Sequence, residues 1–461
     1  MSGILKHADG SIVELRTVKR FINSFAGQSL LPGDSDYDTA RTLWNASIDK
    51  RPGLIARCGS TNDVVRAVQF ARINNLLVAV KGGGHNVAGR ALCDDGLVID
   101  LSLMKQVSVD APSRTVTVEA GALLEDVDRE THPHGLAVPA GVVSKTGVAG
   151  LALGGGVGWL ARKYGLTCDS LLSCDVVSAQ GEVLQVHDAS HSDLFWALRG
   201  GGGNFGVVTS FRFRAHPVST VLGGMIAYPR SEAATVLRFY RDLMQTAPEE
   251  LTAYAGLITT PEGAPAVAIM MCYCGSLEAG EPIVQSLRAV AQPVFEAIQP
   301  MPFPAMQKLA DATHPDGLHN YWRSTFVREL SDAAIDVIVE QSNEAPSNLN
   351  AVLVQIFSGA VNKVDAAATA FPHRNAGFSI GIEAKWVDAA QCSPNIAWAR
   401  GFSDALKPHS SYTCLVNFLG DEGASEVRAA FGSNYERLVD VKTKYDPTNF
   451  FRLNQNIRPR M

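Results

Sequence analysis

The sequence predicts an α+β fold in two domains: a glycine-rich half in which short strands alternate with helices, and a middle region built on an antiparallel sheet covered by helices. Three observations carry this. Residues from about 50 to 215 alternate β-branched runs with helical segments and hold most of the glycine clusters. From about 218 to 415 glycines thin out, and helical patterns such as Ser231 to Met244 stand beside alternating runs such as Phe378 to Trp386. At 461 residues, the chain is also too long for one ordinary core.

Taken in order, Leu54 to Arg57 reads as a strand. Ser60, Thr61, Asn62 and Asp63 supply capping residues for a helix in which Val64, Val65, Ala67, Val68, Phe70 and Ala71 recur near the 3.6 period. Leu76 to Val80 is a second strand, so the unit is β-α-β, and it delivers the chain into Lys81-Gly82-Gly83-Gly84-His85-Asn86. Three residues without Cβ atoms let backbone N–H groups approach a pyrophosphate, and they place a histidine beside whatever those amides hold. Read alone, the same string also fits a tight loop ending in a surface histidine.

Gly96 to Asp100 and Thr115 to Glu119 are further strands, and Ala120-Gly121 opens a helix running through Asp128. Two more glycine clusters follow, at Gly147 to Leu160 and at Arg199 to Gly206, the second leading into a strand from Val207 to Phe213. The final stretch, Asn434 to Ile457, is too patterned in polar and aromatic residues to be a loose tail.

Composition removes several classes. A net charge of −6 with no basic run argues against a nucleic-acid surface. The eight cysteines form no C-x-x-C unit and read as reduced, mostly buried thiols, with no metal site implied. The N-terminus is charged where an export signal needs an apolar core, and no apolar run reaches the ~18 residues of a membrane span, so a soluble cytoplasmic protein is expected.

Gly201 to Gly206 and Gly156 to Ala161 match a dinucleotide fingerprint in form. The first follows a helix-like stretch and precedes a strand, which reverses the required order, and the second lacks a leading strand and a placed acid. No P-loop string occurs. Three loops of close backbone approach are better explained by one long anionic ligand threading between strands, and a dinucleotide such as FAD fits.

These residues carry a family likeness. Pro52 to Arg57, Gly82 to Asn86, Gly154 to Asp169 and Arg199 to Gly206, with Tyr435 to Leu438, Lys444 to Asn449 and Arg452 to Asn456, resemble the berberine-bridge-enzyme-like flavoproteins, and within them the bacterial 6-hydroxynicotine oxidase type. These belong to the vanillyl-alcohol-oxidase superfamily. The resemblance implies a PCMH-type FAD-binding domain over residues 35–217, a substrate-binding α+β domain over 218–415, and a C-terminal segment, 416–461, returning to the FAD domain. It implies FAD contacts at Gly82, Gly83, Gly84, His85, Asn86, Gly89, Gly147, Gly150, Gly154, Asn204, Gly206, Val208, Asn454 and Asn456.

In the family the histidine of the glycine loop is bonded to the flavin 8α-methyl, and His85 matches it. Many relatives carry a second, cysteinyl link at the place held here by Val143, while Cys168 lies past that segment and reads as a structural thiol. A single covalent link is expected. This departure favours a small substrate or a secondary metabolite over an oligosaccharide.

Many relatives also place a tyrosine base on a late strand, in a Tyr-x-Asn-Tyr pattern. Here the string is Leu415-Val416-Asn417-Phe418, so both phenols are absent. On the neighbouring run, alternation puts Phe378, Ile380, Ile382, Ala384 and Trp386 on one face and Ser379, Gly381, Glu383 and Lys385 on the other. Glu383 is a candidate base if partial burial raises its pKa, the alternative being a solvated pair with Lys385. Tyr321 and Tyr412 are candidates with a packing role as the alternative, and Asn417 is a candidate partner of substrate or flavin.

The expected activity is hydride removal from a small amine, N-heterocycle or alcohol, with dioxygen as acceptor giving hydrogen peroxide. The missing phenol tilts the choice toward amines. A dehydrogenase with another acceptor, or a flavin- or small-molecule-binding protein without turnover, are the alternatives. Oligomeric state is open, a homodimer being one option.

Overall fold

The computed structural model describes residues 4–260, 262–411, 414–420 and 422–460. Three main sheets and one ribbon organise it. The first sheet holds β1 (Gln28–Leu30), β2 (Leu54–Arg57), β3 (Val78–Lys81) and β4 (Leu97–Asp100), in the order β1-β2-β4-β3. Both β2 and β3 pair in parallel with β4. The expected β-α-β unit is present, but β4 inserts between its strands, because Leu97, Val98 and Ile99 are fully buried and only a central position covers both faces. The connecting helix, Thr61–Ile73, starts where Ser60 accepts a hydrogen bond from the Asp63 backbone, and it buries Val64, Ala67, Val68 and Ala71.

The second sheet is antiparallel, β5 (Val107–Asp110), β6 (Thr115–Glu119), β10 (Val207–Arg214), β8 (Leu171–Val177) and β9 (Val183–His187), in that order. β7 (Leu136–Ala137) and β11 (His216–Pro217) form the ribbon. The helix expected to open at Ala120 begins only at Leu124. Gly121 is pressed against the preceding loop: a Cβ there would lie 1.8 Å from the Leu101 carbonyl oxygen, and its N–H donates to Met104 at 2.9 Å. That leaves the backbone bound across the loop instead of along a helix.

The third sheet is antiparallel and seven-stranded, in the order β15 (Phe295–Pro302), β12 (Thr220–Pro229), β14 (Pro265–Tyr273), β13 (Leu251–Thr259), β17 (Ala351–Phe357), β18 (Gly377–Trp386), β16 (His319–Val327). Phe378, Ile380, Ile382, Ala384 and Trp386 pack with Leu237, Tyr240, Ile335, Ile338, Trp398 and Phe402 from the covering helices. The opposite face meets the glycine-rich half, where Trp159 and Leu160 pack with Val221, Tyr254 and Cys272.

The chain then returns to that half. Lys442, on the helix Tyr435–Tyr445, is fully buried and donates to the carbonyls of Asn204 and Phe451 and to Asp446. The string Val416–Phe418, expected on a strand, is a 3-10 turn. Leu415 N–H donates to the Ser324 hydroxyl and Phe418 N–H to the Leu415 carbonyl, so the backbone closes on itself beside β16 instead of joining its ladder. Among the described residues no helix is long and apolar enough to cross a membrane, and the eight cysteines are free.

Candidate active site

The glycines expected to meet a cofactor divide by what surrounds them. Gly83 and Gly147 cross backbone to backbone: a Cβ on Gly83 would stand 2.5 Å from Gly147 Cα, and one on Gly147 would stand 2.4 Å from Gly83 N. Gly84 turns the chain at φ +70°, a conformation that glycine adopts without strain, and so delivers His85. Gly82 lies 3.1 Å from the Ala120 carbonyl oxygen by the same measure, and Gly89 sits hard against Ile48 and Gly206 against Val176. At Gly150 no described protein atom lies within 4 Å of the added carbon, and that residue is exposed.

Two expected contacts have their polar groups engaged elsewhere. The Asn204 side chain is fully buried, donates to the carbonyls of Gly201 and Gln455, and accepts from Ile457 N–H, which pins the C-terminal segment to the glycine loop. Its side-chain amide is thus engaged within the protein, and its backbone carbonyl accepts from Lys442 as well. Val208 is a core residue of the second sheet, paired with Val176 and 3% exposed. Asn86 accepts from Ala88 N–H. Asn454 donates to Gly203 and Phe451, yet its Oδ1 and that of Asn456 are buried without a hydrogen-bond partner.

His85 shares this condition. Its Nε2 is shielded and bonds to no described residue. The ring is stacked on Trp44, with centroids 4.3 Å apart and planes 16° from parallel. Burial, and then the neighbouring His314, push its pKa down to about 4, so the ring is neutral with a free lone pair at neutral pH.

Across from His85 stands the sheet face predicted by alternation. Trp322 on β16 is the register partner of Glu383, and Asn320 of Lys385. Glu383 and Lys385 are neither solvated nor weakly paired: they are 5% and 3% exposed, and Lys385 Nζ lies 3.1 Å from Glu383 Oε2. His314 Nε2 reaches the same oxygen at 3.2 Å. Burial pushes the Glu383 carboxyl up, but Lys385 and His314 outweigh it and hold it down at about 2. The condition set for Glu383 as a base, a raised pKa, is therefore not met, and the Lys385 pair is present but buried: two donors on one oxygen stabilise the anion more than desolvation opposes it.

Tyr321 takes its packing role. It is the register partner of Ala384, packs with the helix-side core, and its hydroxyl accepts from Arg400 Nε at 3.1 Å. The pleat thus turns it away from Glu383. Tyr412 lies outside the described residues. Asn417 donates to the Leu151 carbonyl at 3.3 Å, and its Oδ1 covers Gly154, where a Cβ would fall 1.6 Å from it. It fastens the C-terminal segment over the glycine helix.

Three residues of the site escape sequence reasoning. Trp44 touches Trp322 edge-on at 5.3 Å, and its indole N–H donates to the His314 carbonyl at 2.9 Å. Trp322 Nε1 is buried without a partner, and Phe418 meets the same ring edge-on at 5.5 Å. His314 lies in a loop held from the glycine-rich half, where Ser144 N–H and Oγ donate to Asp311 at 2.8 and 2.6 Å. Alternation along β16 marks Trp322 as a neighbour of Glu383 once the register is known; Trp44 and His314 sit in loops without periodicity.

The unbonded polar atoms test the fit of a dinucleotide. Buried polar groups in folded proteins are almost always paired. The Asn454 and Asn456 oxygens ask for donors, which FAD carries on its ribityl chain and ring. Among the described residues no cluster of side chains suits a metal ion.

Comparison with known proteins agrees. Residues 52–187 match the FAD binding domain family, and residues 416–458 match the berberine and berberine-like family. An FAD-linked oxidoreductase of Dictyostelium discoideum is 36% identical over 450 residues, covering 96% of this chain and 97% of the relative. The (R)-6-hydroxynicotine oxidase of Paenarthrobacter nicotinovorans is 30% identical over 454 residues, covering 95% and 97%. The crystal structure of 6-hydroxy-D-nicotine oxidase from Arthrobacter nicotinovorans superposes with a TM-score of 0.86 at 30% identity, covering 95% of this chain and 99% of that one. The chain belongs to the berberine-bridge-enzyme-like family of FAD-linked oxidoreductases, with a PCMH-type FAD domain.

Proposed function

We propose that this enzyme is an oxidase that removes a hydride from the carbon beside nitrogen in a small amine or N-heterocycle, with dioxygen as electron acceptor and hydrogen peroxide as product. The observation that carries the reading is Glu383. Its Oε2 takes both hydrogen bonds, no described residue bonds Oε1, and the carboxylate faces the side of the sheet that bears Trp322. A carboxylate held so far below its usual range is a poor proton acceptor. An alcohol needs its O–H proton removed, whereas a neutral amine can surrender hydride without a strong base.

FAD, when bound, supplies the hydride acceptor. His85 would hold it by a single covalent bond, since Val143 offers no thiol and Cys168 is sealed among Leu166, Phe326, Phe357 and Phe371. Asn454 and Asn456 would hold its polar groups. Glu383 Oε1 accepts the substrate N–H and orients the nitrogen, while Trp44, Trp322 and Phe418 exclude water from the space between His85 and the sheet.

The test is peroxide release in air from matched amines and alcohols, with stopped-flow reoxidation of the reduced enzyme. Amine-dependent peroxide and rapid reoxidation are expected. Turnover of alcohols alone would overturn the substrate class, and reduced flavin surviving for minutes in air would make the enzyme a dehydrogenase.

A further inference from the structure

The tryptophan stacked on His85 has no part in the packing of the main cores: Trp44 belongs to a small cluster with Val87 and Trp322, 4% exposed, between the two halves of the molecule. It is tied on every side. Its indole N–H donates to His314, its own carbonyl accepts from Gly317 N–H, and the Ala46 N–H donates to Leu318. The Asn45 amide donates to the carbonyls of Val87 and Asn320 and accepts from Asn320 N–H. Residues 44–46 are therefore a strap stitched both to the loop after His85 and to the start of β16.

The imidazole itself has no comparable anchor, because Nε2 bonds to no described residue. What fixes it is the parallel indole face. In a neutral imidazole the lone pair of the unprotonated nitrogen lies in the ring plane, so setting the plane sets its direction, and orientation is the main lever an enzyme has on a bond-forming step between held groups.

We infer that Trp44 is a positioning residue for His85: its anchored indole fixes the imidazole plane so that a ring nitrogen meets the flavin 8α-methyl carbon. This rests on the reading of His85 as the covalent attachment site. In that attachment the imidazole N–H and one methyl C–H are replaced by an N–C bond. The two hydrogens leave with two electrons, which reduce dioxygen to hydrogen peroxide.

The experiment uses the full chain as purified, in the forms wild type, W44L, W44F and H85A, with intact mass after denaturation beside the visible spectrum of the native protein. W44L is expected to keep its flavin spectrum but release the cofactor on denaturation, its covalent fraction falling about tenfold or more. W44F, which restores a ring face, is expected to recover most of the covalent fraction, a rescue that a volume effect alone would not give. Should W44L not fold, W44M takes its place as the variant without a ring face. A ringless variant attached to the wild-type extent overturns the assignment of Trp44. Wild type without covalent flavin, or H85A still carrying it, overturns the reading of His85 and the Trp44 assignment with it.

Discussion

The glycine-rich half and the face of the large sheet approach the same space by different means. The first brings backbone, through crossings such as Gly83 on Gly147, and the second brings charged side chains, Glu383 and Lys385, from one face of β18. Two buried carboxylates make the contrast physical. Asp128, on the helix Leu124–Thr131, has an unpartnered Oδ2, and burial raises its pKa to about 7 against only a weak pull from Lys308. Glu383 is equally buried, yet Lys385 and His314 hold it at about 2. Burial sets the cost of the charge, and the neighbours decide whether the group keeps it.

Glu383→Gln should have the largest effect. It leaves Lys385 and His314 without their anion, and breaking a buried pair by removing one partner costs about 3–5 kcal/mol. With the proposed substrate contact also lost, kcat/KM should fall about 100-fold or more. Denaturant unfolding and steady-state kinetics check both. A variant as stable as wild type would mean that the triad is not coupled as its distances indicate.

The pH dependence should separate the two carboxylates. Glu383 has a lowered folded pKa, so its contribution is present above its ordinary value of 4.5 and lost as pH falls toward 2. Asp128 has a raised one, so the folded state is favoured below its ordinary 3.8 and that advantage is lost as pH rises through 7. Asp128→Asn should therefore stabilise the protein at pH 8, by at most a few kcal/mol, with the gain fading by pH 4. Thermal melts across that range test it, and a pH-independent difference would contradict it.

The glycines offer a finer comparison. Gly83→Ala should destabilise by about 2 kcal/mol or more, because its Cβ would enter the Gly147 backbone. Gly150→Ala, in open space on the helix Val148–Leu153, should change stability without cofactor by no more than about 1 kcal/mol, in the stabilising direction, while weakening FAD binding. Melts with and without flavin distinguish a glycine needed for packing from one that contacts the cofactor. The smallest effect belongs to Tyr321→Phe, which loses one hydrogen bond from Arg400 worth about 1 kcal/mol and should leave kcat/KM unchanged. A large fall in kcat would return Tyr321 to the site.

Local pattern made much of this molecule legible. The period-2 run of β18 assigned its two faces, and the Ser60 cap and 3.6-residue period assigned the helix after β2. The glycine strings, set in order along the chain, carried the family and the cofactor. Local pattern failed at Ala120 to Leu123, where a tertiary backbone contact at Gly121 replaced a helix, and at Val416–Phe418, where a strand became a turn.

The sequence by itself determined several strand and helix segments and the glycine loops, because these depend on periodicity and on residues without Cβ atoms, which act over a few positions; the resemblance of its motifs pointed to the FAD-linked family. Only the tertiary structure decided the charge state of Glu383, the engagement of Asn204 and Asn417 within the protein, and the placing of Trp44 and His314 beside His85. Those outcomes depend in part on groups far apart in the chain: His314 joins Lys385 on Glu383 across 69 residues, and Trp44 is anchored across 270. A pKa or a ring plane is fixed by what stands within a few ångströms, and no spacing along the chain records that.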